Sequence, residues 1–488
     1  MNKFVKAVLI TTILSISTRA LGLFIKIYLS RQIGAEGIGY YQIALSLFFL
    51  LCSLVTSGIP LVISRKIASE PQKQNKIVFA GLVVSTSISV IICFVISLMP
   101  NIISLIWGQT SSMPVLFMLL PSLIFTAVYV PFRGAFWGNK NFFLLGFTEL
   151  IEQIIRFAVC VIFFNIVIPL TGAEIAGTTY SIACALSSII AIVIYFVKGN
   201  KITPSIKEIK PLISESAPIA ILRIGTSVVS LLISIIFPAM LIKTGTSSSE
   251  AVSFFGIVTG MALPIVTIPG TIIGSISVAL IPELSGKKES FITKQTNLSL
   301  SYSIIISFLL FPTLIVLGEP LGILLFNNAT AGEILKYGSF LLLPLGVSQL
   351  SGSVLNAIGL EKRGLFNYVI SAAVMLLVIT FLPKAIGVYA LVLGFFLMSV
   401  MSSLLNLLTI TKYLSSYSFK TLIYSIIFCL PACLLCKWTY AILDSIFAPI
   451  ISIGIACAIS VISMAILYQT FHFVSIKDFL PKKLHSHA

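Results

Sequence analysis

Residues 146–164 read GFTELIEQIIRFAVCVIFF, an apolar run interrupted by Glu149, Glu152 and Arg156. Three ionisable side chains in such a run need a reason: they do chemistry, bind cargo or hold helices together. The surrounding sequence sets the context. The chain has 488 residues, 58% of them hydrophobic and only 9% charged, where a soluble domain carries about 25%. Apolar runs longer than about 18 residues recur from end to end, the pattern of a polytopic membrane protein. Period-two alternation is missing, which argues against a β-barrel. The run at 146–164 is therefore a membrane helix with charges in it.

Fourteen spans are expected. The first six lie near 4–30, 38–64, 77–99, 112–136, 142–168 and 174–197. The next six lie near 209–242, 250–282, 295–318, 333–358, 365–383 and 386–411, and two more near 421–443 and 448–471. The fold class is an all-α membrane protein of about fourteen transmembrane helices. Lys3 and Lys6 precede a run that continues past Arg19 to Leu29, long enough to be a retained first helix rather than a cleaved signal. The linker from Lys198 to Lys210 follows span six and holds Pro204 and four lysines. It divides the chain into residues 1–200, 201–413 and a final pair of helices with a basic tail, 414–488.

The formal net charge is +16. The basic residues sit in short loops rather than on a surface interleaved with aromatics, so orientation and contact with anionic lipid explain them better than nucleic acid. With the N-terminus inside, 22 of the 31 basic residues fall on the inner side, and only Arg31, Lys243, Lys336 and Lys384 fall outside. That asymmetry supports both the span count and a cytoplasmic placement of both termini.

Enzyme chemistry finds little to work with. The histidines are His472, His485 and His487, and the aspartates are Asp444 and Asp478, all near membrane edges or the C-terminus. They build no catalytic triad, dense metal cluster or phosphate-cradling loop. No cofactor and no metal are expected. The eight cysteines lie in apolar segments, and Cys433-x-x-Cys436, with no second pair and no nearby histidine, reads as packing rather than metal binding.

A charge at mid-bilayer costs roughly 2.5–3.5 kcal/mol on insertion scales, so such residues face a bundle interior or a wet cavity. Arg19 lies near the middle of span one, and Lys26 follows two helical turns on, on the same face. Arg223 is part-way into span seven. These three are the candidate contacts for an anionic cargo such as a pyrophosphate; pairing with acids on other helices, or snorkelling of Lys26, is the structural alternative. Glu149, Glu152 and Arg156 line one face of span five at i, i+3 and i+7. Glu152 and Arg156 have the favourable i, i+4 order for an ion pair within the helix. Glu149 is left over, either as an interhelical brace reaching a cation such as Arg19 or as a proton- or ion-coupling group. Span eight carries Gly260, Pro264, Pro269 and Gly270, which break a helix and read as a hinge or as a close-packing surface.

A family resemblance covers essentially the whole chain. STRALGLFIKIYLSRQIGAEGIGYYQIALSLFFLL (17–51), SGIPLVISRKIASE (57–70) and FRGAFWGNKNFFLLGFTELIEQIIR (132–156) resemble the stage V sporulation protein B family. So do FGIVTGMALPIVTIP (255–269), ALIPELSG (279–286) and LSGSVLNAIGLEKRG (350–364). That family is related to the lipid II flippases within the multidrug/oligosaccharidyl-lipid/polysaccharide exporter superfamily. The resemblance implies two six-helix lobes around a V-shaped cavity with two helices appended. It also implies export of a lipid-linked pyrophosphate saccharide for spore cortex peptidoglycan, with membrane lipids and cell-wall synthases as partners and no nucleic acid. Lipid II flippases place essential arginines in helix one: Arg19 fits that position, and Lys26 falls near a second. An ion-coupled multidrug antiporter of the same superfamily is the alternative function.

Overall fold

The computed structural model describes residues 3–101, 108, 110–284, 288–414 and 416–471, and every regular element among them is helical. The basic tail with Lys477, Lys482 and Lys483, all three histidines, Asp478 and Lys287 lie outside the described residues. The chain divides into two compact units, Met1–Gly260 and Met261–Ala488. The first holds α1 (Lys3–Thr56), α2 (Ile59–Ser69), α3 (Gln74–Leu98), α4 (Met113–Gly138), α5 (Phe142–Phe164), α6 (Gly172–Val197), α7 (Ile209–Lys243) and α8 (Ser248–Gly256). The second holds α9 (Leu263–Val266), α10 (Ile268–Leu284), α11 (Glu289–Phe326), α12 (Ala329–Gly338) and α13 (Leu342–Ala357). It continues with α14 (Glu361–Phe381), α15 (Pro383–Ile386), α16 (Tyr389–Thr409), α17 (Ser416–Asp444) and α18 (Pro449–Thr470).

Twelve of the helical stretches among the described residues are long and apolar enough to cross a membrane. The first of these runs Ile13–Ser69, 57 residues, far more than the ~20 that one crossing needs. It breaks at Gly34, where φ is 68° and ψ −175°, a conformation that only glycine adopts without strain. It thus supplies two of the expected spans. Helix α5, at 23 residues, is long enough for another; its three charges are what set it apart. The fourteen spans are thereby accounted for.

Local chemistry fixes several boundaries. Thr171 and Glu174 form a capping box at the start of α6, and Ser247 and Glu250 do the same for α8. Span eight is broken as its prolines and glycines demand. After α8 comes a π-helical turn, Ile257–Ala262, then the four-residue α9, then α10. Pro264 opens α9 and Pro269 opens α10 in place of a backbone donor. The boundary between the two units falls inside the π turn. Gly260 itself is closely packed, since an added Cβ would lie 2.2 Å from Ile38.

The second unit is organised around α11, whose Ile304, Ile305 and Phe308 bury against Phe428 of α17 and Tyr468 of α18. Tyr468 donates its hydroxyl to Ser425 at 2.7 Å. The cysteine pair of the sequence does not act together: Cys433 Sγ lies 3.7 Å from Cys429 Sγ, and Cys436 contacts the Ala456 carbonyl. All eight cysteines are free.

In the first unit, α2 crosses α4 at Gly134 and Gly138. A Cβ on Gly134 would lie 2.8 Å from the Ile63 side chain, and one on Gly138 would lie 2.9 Å from Ile67 and from the Ser64 carbonyl. Small residues four apart let helix backbones approach closely in lipid, where no hydrophobic drive pulls helices together. Gly134→Leu should therefore separate the helices and lower stability by about 1–3 kcal/mol, measured as a drop in unfolding temperature in detergent. Gly225→Ala, with nothing within 4 Å of the new Cβ, should leave that temperature unchanged or slightly raised.

Candidate functional site

A cavity of about 460 Å³ opens within the first unit between α1, α2, α4, α5, α6 and α7. Its ionisable wall is made of Arg133 from α4, Glu149 and Glu152 from α5, and Arg223 from α7. Thr18 from α1 and Tyr180 from α6 add polar groups. Each reaches the space for a local reason. Arg133 and Trp137 are i, i+4 on α4 and flank the glycines that seat α4 on α2, so that crossing aims both at the cavity. Helix α5 starts right after the turn that ends α4, so Glu149 comes to face Arg133.

Arg133 Nη2 donates to Glu149 Oε1 at 2.6 Å, with the two side chains 42% and 32% exposed. The partner of Glu149 is thus Arg133, not a cation on α1. Tyr129, also on α4, shares a 2.7 Å hydroxyl–hydroxyl bond with Thr148, beside Glu149. Glu152 makes no ion pair among the described residues.

The expected pairing of Glu152 with Arg156 is corrected by the structure. Arg156 Nη2 donates to the Tyr41 hydroxyl at 2.6 Å, and its guanidinium carbon sits 4.7 Å from the centre of the Tyr180 ring. Its Nε is buried without a hydrogen-bond partner. A phenol oxygen and a π face hold the cation without bringing a second formal charge out of water, which is the costly part of a buried ion pair. Glu152 is left on the cavity wall.

The three cations expected to meet cargo are not gathered at this cavity. Arg223 is exposed and lines it. Arg19 is exposed, next to the lining residue Thr18, but is not itself on the wall. Lys26 is half-buried farther along α1 and is not on the wall. The sequence reading missed Arg133, Trp137, Tyr41 and Tyr180. The Gly134-x-x-x-Gly138 spacing was the available signal for the first two, because it makes that end of α4 an interhelical face.

No cluster of three or more metal-ligating side chains occurs among the described residues.

Comparison with known proteins places this arrangement. A family model described as polysaccharide biosynthesis protein matches residues 4–288. Stage V sporulation protein B of Bacillus subtilis (strain 168) is 24% identical over 437 residues, 84% of each chain. Among solved structures, the lipid II flippase MurJ in an inward closed conformation is similar with a TM-score of 0.72 at 15% identity, over 95% of this chain and 100% of that one. An inward-facing multidrug resistance MATE family transporter of the MOP superfamily is similar with a TM-score of 0.62 at 13% identity, over 83% and 98% of the two chains. These structural likenesses show that the chain shares the fold of those membrane proteins.

Tyr41→Phe removes the hydroxyl that Arg156 donates to and leaves the guanidinium with the Tyr180 ring alone. It should cost about 1–3 kcal/mol, read as a lowered unfolding temperature. An unchanged temperature would show that the Tyr41 contact does not hold the cation.

Proposed function

The chain belongs to the polysaccharide biosynthesis protein family, and from that premise we propose that it moves a lipid-linked anionic saccharide across the membrane by alternating access. It is a multi-pass membrane protein of the flippase and exporter class, not an enzyme. The observation that carries the cargo reading is the cavity on whose wall Arg223 stands, exposed and without an ion pair among the described residues. A free guanidinium in a membrane cavity suits a phosphate or pyrophosphate. The likeness to stage V sporulation protein B supports a peptidoglycan-type precursor destined for the spore cortex. Membrane lipids and cell-wall synthases are the matching partners.

Arg19 and Lys26 extend the cationic path along α1, with Arg223 at the cavity. Residues 1–200 and 201–413 act as the two lobes, and 414–488 as an appendage. The broken segment with Gly260, Pro264, Pro269 and Gly270 acts as the hinge. Both termini face the cytoplasm, which puts the α4–α5 turn, and the cavity near it, on the cytoplasmic side.

One observation favours a second reading. Glu152 lines the same cavity and has no ion pair among the described residues, the kind of group an ion-coupled multidrug antiporter uses to exchange a proton for a cationic drug.

Two variants separate the readings in protein reconstituted into vesicles. Arg223→Ala should reduce movement of a lipid-linked pyrophosphate saccharide by about tenfold, the loss of one charge-assisted contact. Wild-type protein that moves none would sink the proposal. Drug efflux abolished by Glu152→Gln, with lipid movement unaffected, would favour the antiporter.

A further inference from the structure

Arg133 enters the cavity already occupied by Glu149, at 2.6 Å. Both partners are roughly one-third exposed or more, so water reaches the pair. An ion pair in that setting is only marginally stabilising, because solvent screens it and two long side chains must be held. A phosphate offers the same guanidinium several acceptor oxygens in the bidentate geometry that arginine matches best. Such a ligand can therefore displace the carboxylate.

One helical turn beyond Arg133, Trp137 lines the same cavity and is 40% exposed. A large indole left open on a cavity wall is a platform for an amphipathic ring. The C–H face of a pyranose is apolar and packs on such a surface, while its hydroxyls stay in water. The two residues are i, i+4 on α4, neighbours on one helix face, and both line the cavity.

We propose that Arg133 and Trp137 form the headgroup subsite of the cavity, Arg133 taking phosphate and Trp137 the first sugar. Glu149 masks Arg133 until an anionic headgroup displaces it. This rests on the proposed lipid-linked saccharide as cargo and names the residues that recognise its polar end. Glu149 is then neither a brace nor a coupling group, but a competitor that the cargo must outbid.

The test is binding by the full-length protein in detergent, with two probes: inorganic pyrophosphate and a short-chain, water-soluble prenyl-pyrophosphate disaccharide. Calorimetry is the readout, with Trp137 fluorescence as a second one in a Trp107→Phe, Trp438→Phe background. Glu149→Gln should tighten both probes about tenfold by unmasking Arg133. Arg133→Gln should weaken both, and in that background Glu149→Gln should change nothing further. Trp137→Ala should weaken the disaccharide probe about tenfold and leave pyrophosphate within about twofold.

Glu149→Gln that tightens binding equally with Arg133 absent would overturn the mask, since only long-range charge would then be at work. So would Glu149→Gln that leaves both affinities unchanged. Equal weakening of both probes by Trp137→Ala would overturn the sugar platform. If Glu149→Gln does not fold, Glu149→Asp, one methylene too short for the 2.6 Å contact, should show a smaller gain, and no gain overturns the proposal. Lipid movement is measured in parallel. Protein that binds both probes as described but moves no lipid-linked saccharide refutes the proposed function and not the subsite. Protein that moves the lipid yet is indifferent to Glu149→Gln refutes the subsite and not the function.

Discussion

A formal charge inside a membrane bundle has to be satisfied by a neighbouring helix, and Arg156, half-buried with its Nε fully covered, shows how the first unit meets that demand. Its partners are the Tyr41 hydroxyl on α1 and the Tyr180 ring on α6. Three helices are thus tied at one point by a contact that uses one charge instead of two. In hydrocarbon the desolvation of a second ion would offset much of what the pair gains. A phenol and a π face avoid that cost. They also leave both carboxylates of α5 free to face the polar cavity, so the placement of Arg156 decides where Glu149 and Glu152 can go.

The membrane class, the approximate spans and the broken eighth span were legible because they rest on local properties. Apolar length marks a crossing, and a run of proline and glycine marks a helix that cannot continue. Pairings between helices were not legible in the same way. The Glu152–Arg156 spacing permits an ion pair within α5, yet spacing says nothing of the tyrosines 115 and 24 positions away from Arg156 that compete for it. Arg133 was counted with the inner loops, since it stands five residues before the end of α4. Only the close approach of α2 at Gly134 and Gly138 turns that end of the helix toward the cavity. Packing through glycine is a tertiary fact with a sequence trace, and the trace is readable once the facing helix is known.

The expectation of a cationic cavity needs the largest revision. The described wall carries two arginines and two glutamates, so its formal charge is balanced, and Arg19 and Lys26 are not part of it. A balanced wall is easier to build within a membrane than a cluster of bare cations, because like charges in a low-dielectric space repel strongly. It is also easier to empty. A transporter must release what it binds, and a permanently cationic chamber would hold a pyrophosphate too well.

The proposed masking of Arg133 by Glu149 resolves that conflict. When Arg133 is held by Glu149, one of the two arginines on the wall is compensated in the empty cavity, and Arg223 alone stands without an ion pair among the described residues. When an anionic headgroup arrives, the same arginine changes partner, and the gain is only the difference between a phosphate and a carboxylate as acceptor. Such a difference discriminates between anions without making any of them bind irreversibly, which is the thermodynamic condition for selective turnover. The freed Glu149 then sits beside Glu152, two carboxylates one turn apart on α5. Their mutual repulsion favours return of Glu149 to Arg133 and hence departure of the headgroup. Binding and release are set by one exchangeable contact, positioned by two glycines on α4.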